Sequence, residues 1–233
     1  MTIVPGKLIA VEGIDGSGKH TQVRLLAEAL LSQGHRVFTT GFPQYASTFG
    51  KMVGQFLNGD FGPLPSVDPH FTALLYAGDR FESKAPIVVA LEKGQVVIAD
   101  RYIASNLAHQ TARIAPDKRA AFRNWIEHLE YGIYGLPKED LVLYLRVPPV
   151  EAQSLVAKKS VRAYTDSAHD ILEADLLHLS DATEMYDQLS QGTNWKVIEC
   201  FDPSAHAMRT PEAISHDILA AVQLFLPSLQ EKR

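Results

Sequence analysis

The sequence predicts an α/β protein: a five-stranded, mainly parallel sheet with helices on both faces. Three observations carry this. Short apolar runs alternate with amphipathic segments along the whole chain, as in sheets built from strand–helix units. Two of the runs, 7–13 and 95–100, read as strands buried on both faces. Polar motifs directly follow three of the runs, where ligands sit in such folds.

The elements follow in order. "KLIAVEG", 7–13, is bounded by glycine and reads as the first strand. "TQVRLLAEALLSQG", 21–34, places Val23, Leu26, Ala27, Leu30 and Leu31 at helical spacing and stops at Gly34. "RVFTTGF", 36–42, is a second strand, and the Gly/Pro-rich stretch 58–70 is a loop. "FTALLYAGDRFES", 71–83, and "APIVVALEKG", 85–94, are helices. "QVVIAD", 95–100, is the third strand, and 115–135 is one long amphipathic helix. "DLVLYLRV", 140–147, is the fourth strand and 173–192 another helix. "WKVIEC", 195–200, is the fifth strand, and 210–226 is the last helix.

The 233 residues fit one domain, 1–233, with a polar, mobile lid at about 157–173. A net charge of -5 argues against general nucleic-acid or membrane-surface binding. No apolar run approaches the length of a membrane span, and "MTIVPGK" does not resemble a secretory leader. The one cysteine, Cys200, excludes an internal disulfide and suits a reducing, cytoplasmic setting.

"GIDGSGK", 13–19, sits between the first strand and its helix. Gly13, Gly18 and Lys19 satisfy the phosphate-loop spacing, and this context is the one such a loop requires. Glycines let successive backbone N–H groups turn onto a phosphate, the helix presents its positive end, and the lysine adds a point charge. The nucleotide segment is therefore Gly13, Ile14, Asp15, Gly16, Ser17, Gly18, Lys19, His20 and Thr21. His20 stands where a Ser or Thr hydroxyl would bind Mg²⁺, and imidazole suits softer metals. Asp15 and Asp100 are the candidate carboxylate ligands.

With "VEGIDGSGKHTQ", "FPQY", "LLYAGDRFE" and "ADRYIASNLAHQ" in that order, the chain resembles the thymidylate kinases, from about residue 7 onward. The resemblance implies a P-loop three-layer sandwich that transfers the γ-phosphoryl of ATP to dTMP with Mg²⁺. It implies Asp15, Lys19, Arg101 and Arg162 as the catalytic set. It implies Phe42, Tyr45, Tyr76, Arg80, Arg101, Ser105, Asn106, His109, Gln110 and Asp15 as the dTMP site. Arg101 would grip the acceptor phosphate, Tyr76 stack on thymine, and Arg80 reach its carbonyl edge. Gly16 occupies the position where some members carry a catalytic arginine, so the lid offers Lys158, Lys159 or Arg162 instead, Arg162 being preferred. Asp170 and Glu173 match acidic positions after the lid. A homodimer is implied, and the helix bearing Phe122, Trp125, Ile126 and Leu129 is either its face or core packing. A kinase for another deoxynucleotide or a nucleoside stays open, as does a nucleotide-binding protein without catalysis.

Overall fold

Continuous apolar runs leave no face for water, and the five expected strands lie side by side in one sheet, the two at its edges less buried than the three between them. The computed structural model of the protein describes residues 5–156, 172 and 176–226. Strands β1 (Lys7–Glu12), β2 (Val37–Gly41), β3 (Val96–Asp100), β4 (Leu141–Arg146) and β5 (Trp195–Glu199) pair in the order β2-β3-β1-β4-β5. All four pairings are parallel. Asp100 is in register with both Val11 and Gly41, so β1, β2 and β3 end level with one another. The loops that follow them emerge at one edge, which is what gathers the three polar motifs.

The helices are α1 (Lys19–Ser32), α2 (Thr48–Leu57), α3 (Pro69–Glu82), α4 (Lys84–Glu92), α5 (Ile103–Thr111), α6 (Arg119–Glu127), α7 (Pro149–Val156), α8 (Leu176–Leu189) and α9 (Pro211–Phe225). Alternate residues of β1 serve opposite faces of the sheet. Ile9 and Val11 join a core with α1, α8 and α9, including Leu26, Met185 and Ile218. Leu8 and Ala10 join a second core with α4, α5 and α6, including Ile87, Leu107 and Ile126. The result is the three-layer arrangement expected.

Among the described residues, three helices and one hairpin have no counterpart in the sequence reading. The hairpin pairs β6 (Phe201–Asp202) with β7 (Ala207–Met208). Helix α2 carries Gly50 and Gly54, poor helix formers, which masks it. Gly50 is there for contact: a Cβ would lie 1.8 Å from the Gln44 carbonyl oxygen. Helix α5 lacks an apolar stripe because every one of its residues is buried, polar ones included. Helix α7 is short, with one proline before it and another as its first residue.

The helix read as continuous over 115–135 is divided. A 3₁₀ turn at Pro116–Lys118 precedes α6, and a π-helical turn at His128–Ile133 follows it. Phe122, Ile126 and Leu129 are buried and Trp125 packs against the same core, so this apolar face is occupied within the chain.

One buried carboxyl has a measurable consequence. Glu139 is 9% exposed and accepts from the Tyr131 hydroxyl at 2.6 Å. Burial pushes its pKa from 4.5 up to about 7, against the opposing Tyr131 hydrogen bond. An acid with a raised native pKa favours the fold fully below its unfolded value and loses that contribution as pH rises through its folded value. The window here is about pH 4.5 to 7. Glu139→Gln keeps an acceptor for Tyr131 and removes the charge. It is expected to raise unfolding free energy at pH 8 by roughly 3 kcal/mol and to give almost no gain at pH 4.5. Urea denaturation at the two pH values checks this; an equal gain at both would refute it.

Candidate functional site

The loop after β1 is shaped by two glycines in particular. Gly18, at φ 87°, turns the chain into α1 as its N-cap. Gly16, also at φ 87°, has no room for a side chain: a Cβ would lie 2.2 Å from the Ala152 carbonyl oxygen of α7. An arginine at this position is therefore excluded by packing. The Lys19 ammonium folds back over the loop, donating to the carbonyls of Ile14 at 2.8 Å and Gly13 at 3.1 Å. Ile14 and Ser17 are buried beneath it. His20 projects outward, its side chain 92% exposed, with Nδ1 3.5 Å from Asp100 Oδ2. Thr21 follows it, partly exposed.

Arg101 ends the third strand's polar motif with φ 66°, in the left-handed region that a non-glycine residue adopts only where surroundings enforce it. Its Nη2 donates to Asp15 Oδ1 at 2.5 Å, and its Nη1 to the Gly13 carbonyl at 3.1 Å and Ser105 Oγ at 3.0 Å. Burial disfavours the Arg101 cation, but Asp15, Tyr186, Glu12 and Asp100 together raise its pKa. Below lies Glu12, fully buried, a residue the sequence reading passed over. It accepts from the backbone N–H groups of Tyr102 and Ser105, from Ser105 Oγ at 2.6 Å and from the Tyr186 hydroxyl at 2.9 Å. A carboxylate at the positive start of α5 is thus held by four donors. An acid closing an otherwise apolar strand was the available signal.

All ten residues expected at the dTMP site line one cavity. They are Asp15, Phe42, Tyr45, Tyr76, Arg80, Arg101, Ser105, Asn106, His109 and Gln110. Buried Asp79 fastens the loop after β2 to α3, accepting from Gln44 N–H at 2.9 Å and Ser47 Oγ at 2.7 Å. The Tyr76 ring meets Phe56 edge-on, with centroids 6.5 Å apart.

At the far end, amide orientations are forced by their partners. Asn106 Nδ2 donates to the Ala73 carbonyl at 3.1 Å and to Glu130 Oε1 at 2.8 Å. Its Oδ1 is buried with no hydrogen-bond partner. Gln110 Oε1 accepts from Thr72 at 2.7 Å and from Arg113, which can only donate, at 2.8 Å. Arg80, 1% exposed, gives Nε and Nη2 to Glu130 at 2.6 and 2.5 Å. Arg80, Asn106 and Gln110 thus line this end of the cavity, with the buried Asn106 Oδ1 left as an acceptor. The partner Glu130 had no sequence signal, because a pair fifty residues apart has no period.

His109 is 6% exposed, so it is no surface histidine. Burial, then Arg101 and His178, holds its pKa well below the usual value, keeping the ring neutral. The two metal candidates separate: Asp15 is tied to Arg101 in the cavity wall, whereas Asp100 lies beside His20 and outside that wall. Among the described residues, no three His, Cys, Asp or Glu side chains converge as a metal site. Arg162, Lys158, Lys159, Asp170 and Glu173 lie outside the described residues.

A phosphate loop on the central strand of a parallel sheet, with a cation-walled cavity sharing its edge, defines a P-loop nucleotide-binding protein. The family model described as thymidylate kinase matches residues 11–209. A Mycobacterium tuberculosis thymidylate kinase is 33% identical over 197 residues, covering 82% of this chain and 90% of the relative. Human thymidylate kinase is 31% identical over 215 residues, covering 91% and 88%. A probable thymidylate kinase of Pyrococcus abyssi is 34% identical over 223 residues, covering 94% and 96%. In fold, a solved thymidylate kinase from Candida albicans matches with a TM-score of 0.73, covering 94% of this chain and 92% of that one at 20% identity. The chain belongs to the thymidylate kinase family.

Proposed function

We propose that this protein transfers the γ-phosphoryl group of ATP to dTMP, giving dTDP and ADP. One observation carries the reading: Arg101 lines the acceptor cavity while bonded to both Asp15 and the Gly13 carbonyl of the phosphate loop. A phosphate gripped by Arg101 therefore lies next to phosphates held by the loop and Lys19. An acceptor phosphate oxygen attacks the γ-phosphorus as the bond to the β–γ bridging oxygen breaks. The acceptor is already anionic, so cations and alignment do the work and no strong general base is needed. Arg162, from the segment 157–173 that we assign as a lid within a single domain, would add the remaining charge.

At the base end, a donor–acceptor–donor array from Arg80, Asn106 and Gln110 complements the O4, N3–H and O2 edge of thymine. The unpartnered Asn106 Oδ1 supports this, since a buried acceptor without a donor costs about 1–3 kcal/mol. Tyr76 would stack on the ring, with Phe42 and Tyr45 closing the pocket and Ser105 and His109 near the sugar phosphate.

Mg²⁺ prefers oxygen ligands and commonly takes one or two carboxylates plus phosphates and water. Asp100, partly exposed beside the loop, fits that requirement, while Asp15 is engaged by Arg101. Asp100 would therefore hold the ion, which supplies charge neutralisation between the polyphosphate oxygens. We further propose a homodimer in a cytoplasmic setting with nucleotides, not nucleic acids, as ligands. Among the described residues, no helix is long and apolar enough to cross a membrane.

Purified protein with ATP, Mg²⁺ and a panel of dTMP, dUMP, dCMP, dGMP and thymidine tests the assignment. dTMP should be favoured. dUMP lacks one methyl and should fall about tenfold or more, and dCMP, which mismatches the array, at least about a hundredfold. Turnover of thymidine alone, or none despite ATP binding, would overturn the reading.

A further inference from the structure

Helix α8 contributes a second buried histidine to the cavity wall's support, His178, 5% exposed. Its Nε2 lies 3.4 Å from Nδ1 of His109, the ring centroids 5.6 Å apart and tilted by 32°. On the other side, His109 Nε2 lies 3.5 Å from Arg101 Nη1. Both contacts are at the long end of hydrogen bonding, so they orient groups more than they stabilise the fold.

Donor and acceptor chemistry fixes the protons along this line. A guanidinium only donates. The His109 nitrogen facing Arg101 must therefore be the bare one, which puts the ring proton on Nδ1. That proton faces His178 Nε2, which must accept, so His178 carries its own proton on Nδ1. The arginine at one end and His178 at the other thus favour the same tautomer of His109. Removing the acceptor at the other end frees His109 to carry its proton on Nε2, facing Arg101 with a donor against a donor.

We propose that His178 is a positioning residue for the acceptor-phosphate site. By accepting the Nδ1 proton of His109 it keeps the Nε2 lone pair of that ring facing Arg101, and so sets the direction of the guanidinium. This rests on the reading that Arg101 grips the dTMP phosphate. The surroundings of His109 agree with a neutral ring there. Burial and then Arg101 oppose a positive charge there, Asp15 favours one, and the Tyr186 ring packs edge-on at 5.8 Å. Helix α8 also reaches Arg101 by a second route: the Tyr186 hydroxyl is 3.0 Å from Ser105 Oγ, which accepts from Arg101 at 3.0 Å. His178 and Tyr186 are eight residues apart on one helix, so one face of α8 supports the guanidinium from two sides.

His178→Leu and His178→Gln, in the full chain, test the proposal. Leucine removes the acceptor; the glutamine amide oxygen can take the same proton. His178→Leu is expected to raise KM for dTMP about tenfold, as small misplacements of positioning groups do, with KM for ATP within about twofold. His178→Gln should stay within about threefold of wild type on both. Nitrogen NMR of labelled wild-type protein should show His109 as the Nδ1–H tautomer, a readout that also stands if His178→Leu fails to fold. A wild-type KM for dTMP in a well-folded His178→Leu, parallel rises in both KM values, or an Nε2–H tautomer at His109 in wild type would each overturn it. Failure of the underlying reading looks different: Arg101→Ala would then handle dTMP normally, whatever His178→Leu does.

Discussion

Arg101→Ala is expected to lower kcat/KM for dTMP by about a thousandfold, within the range for removing a cation that stabilises transferring phosphoryl groups. The size follows from what the residue does and from what its loss leaves behind. Its guanidinium touches Asp15, the Gly13 carbonyl and Ser105 at once, so the phosphate loop and α5 together hold it. Removing it takes away the bidentate grip and leaves the Asp15 carboxylate facing an incoming phosphate dianion. Arg101→Lys restores a charge but not the fork, and should recover no more than about tenfold. Pairing the change with Asp15→Asn separates the two losses: the double variant should exceed Arg101→Ala alone. Steady-state kinetics with dTMP varied, beside thermal melts of each variant, decide the matter. A loss below tenfold in a folded Arg101→Ala would place the acceptor phosphate elsewhere.

The contrast between Arg101 and its supports explains what could be read from the sequence. Strands β1, β3 and β4 were legible because burial on both faces writes a continuous apolar run. The phosphate loop was legible because its glycine spacing is dictated by backbone angles, and those leave little choice of residue. The cavity residues were legible only through the ordered motifs of a family, since nothing local to Tyr76 or Gln110 says they face one space. Helix α5 shows why periodicity failed there: Ser105, Asn106, His109 and Gln110 are buried polar residues, so the apolar stripe is absent where the site is. The supports Glu12, Asp79, Glu130 and His178 were missed for a related reason. Each acts through a hydrogen bond to a residue at least 32 positions away, a relation that spacing along the chain does not encode. The division of the helix over 115–135 belongs here too. Its π-helical turn includes Glu130, and a regular α-helical reading cannot anticipate the extra residue per turn.

That turn leads to the second large effect. Arg80 and Glu130 form a pair that is 1% and 0% exposed, joined by two hydrogen bonds. Burial acts against the Arg80 charge and Glu130 counters it, leaving the pKa raised and the side chain ionised. Glu130→Ala leaves that cation buried without its partner and strips Asn106 of one acceptor. It is expected to destabilise the fold by about 3–5 kcal/mol. Such pairs are nevertheless poor sources of stability, because replacing both members by apolar residues of similar volume is often neutral. The double variant Arg80→Met with Glu130→Leu should therefore regain most of the loss. Its kinetics should not recover: without Arg80 the thymine edge loses a charged donor, and KM for dTMP should rise by roughly ten- to a hundredfold. Denaturation and dTMP kinetics on the three proteins separate the alternatives. If the double variant is as unstable as Glu130→Ala, the pair is held for the fold. If it is stable and binds dTMP normally, Arg80 is no part of base recognition. A stable double variant with weakened dTMP binding means that Glu130 is buried to keep a functional arginine charged, and that the π-helical turn exists to bring it there.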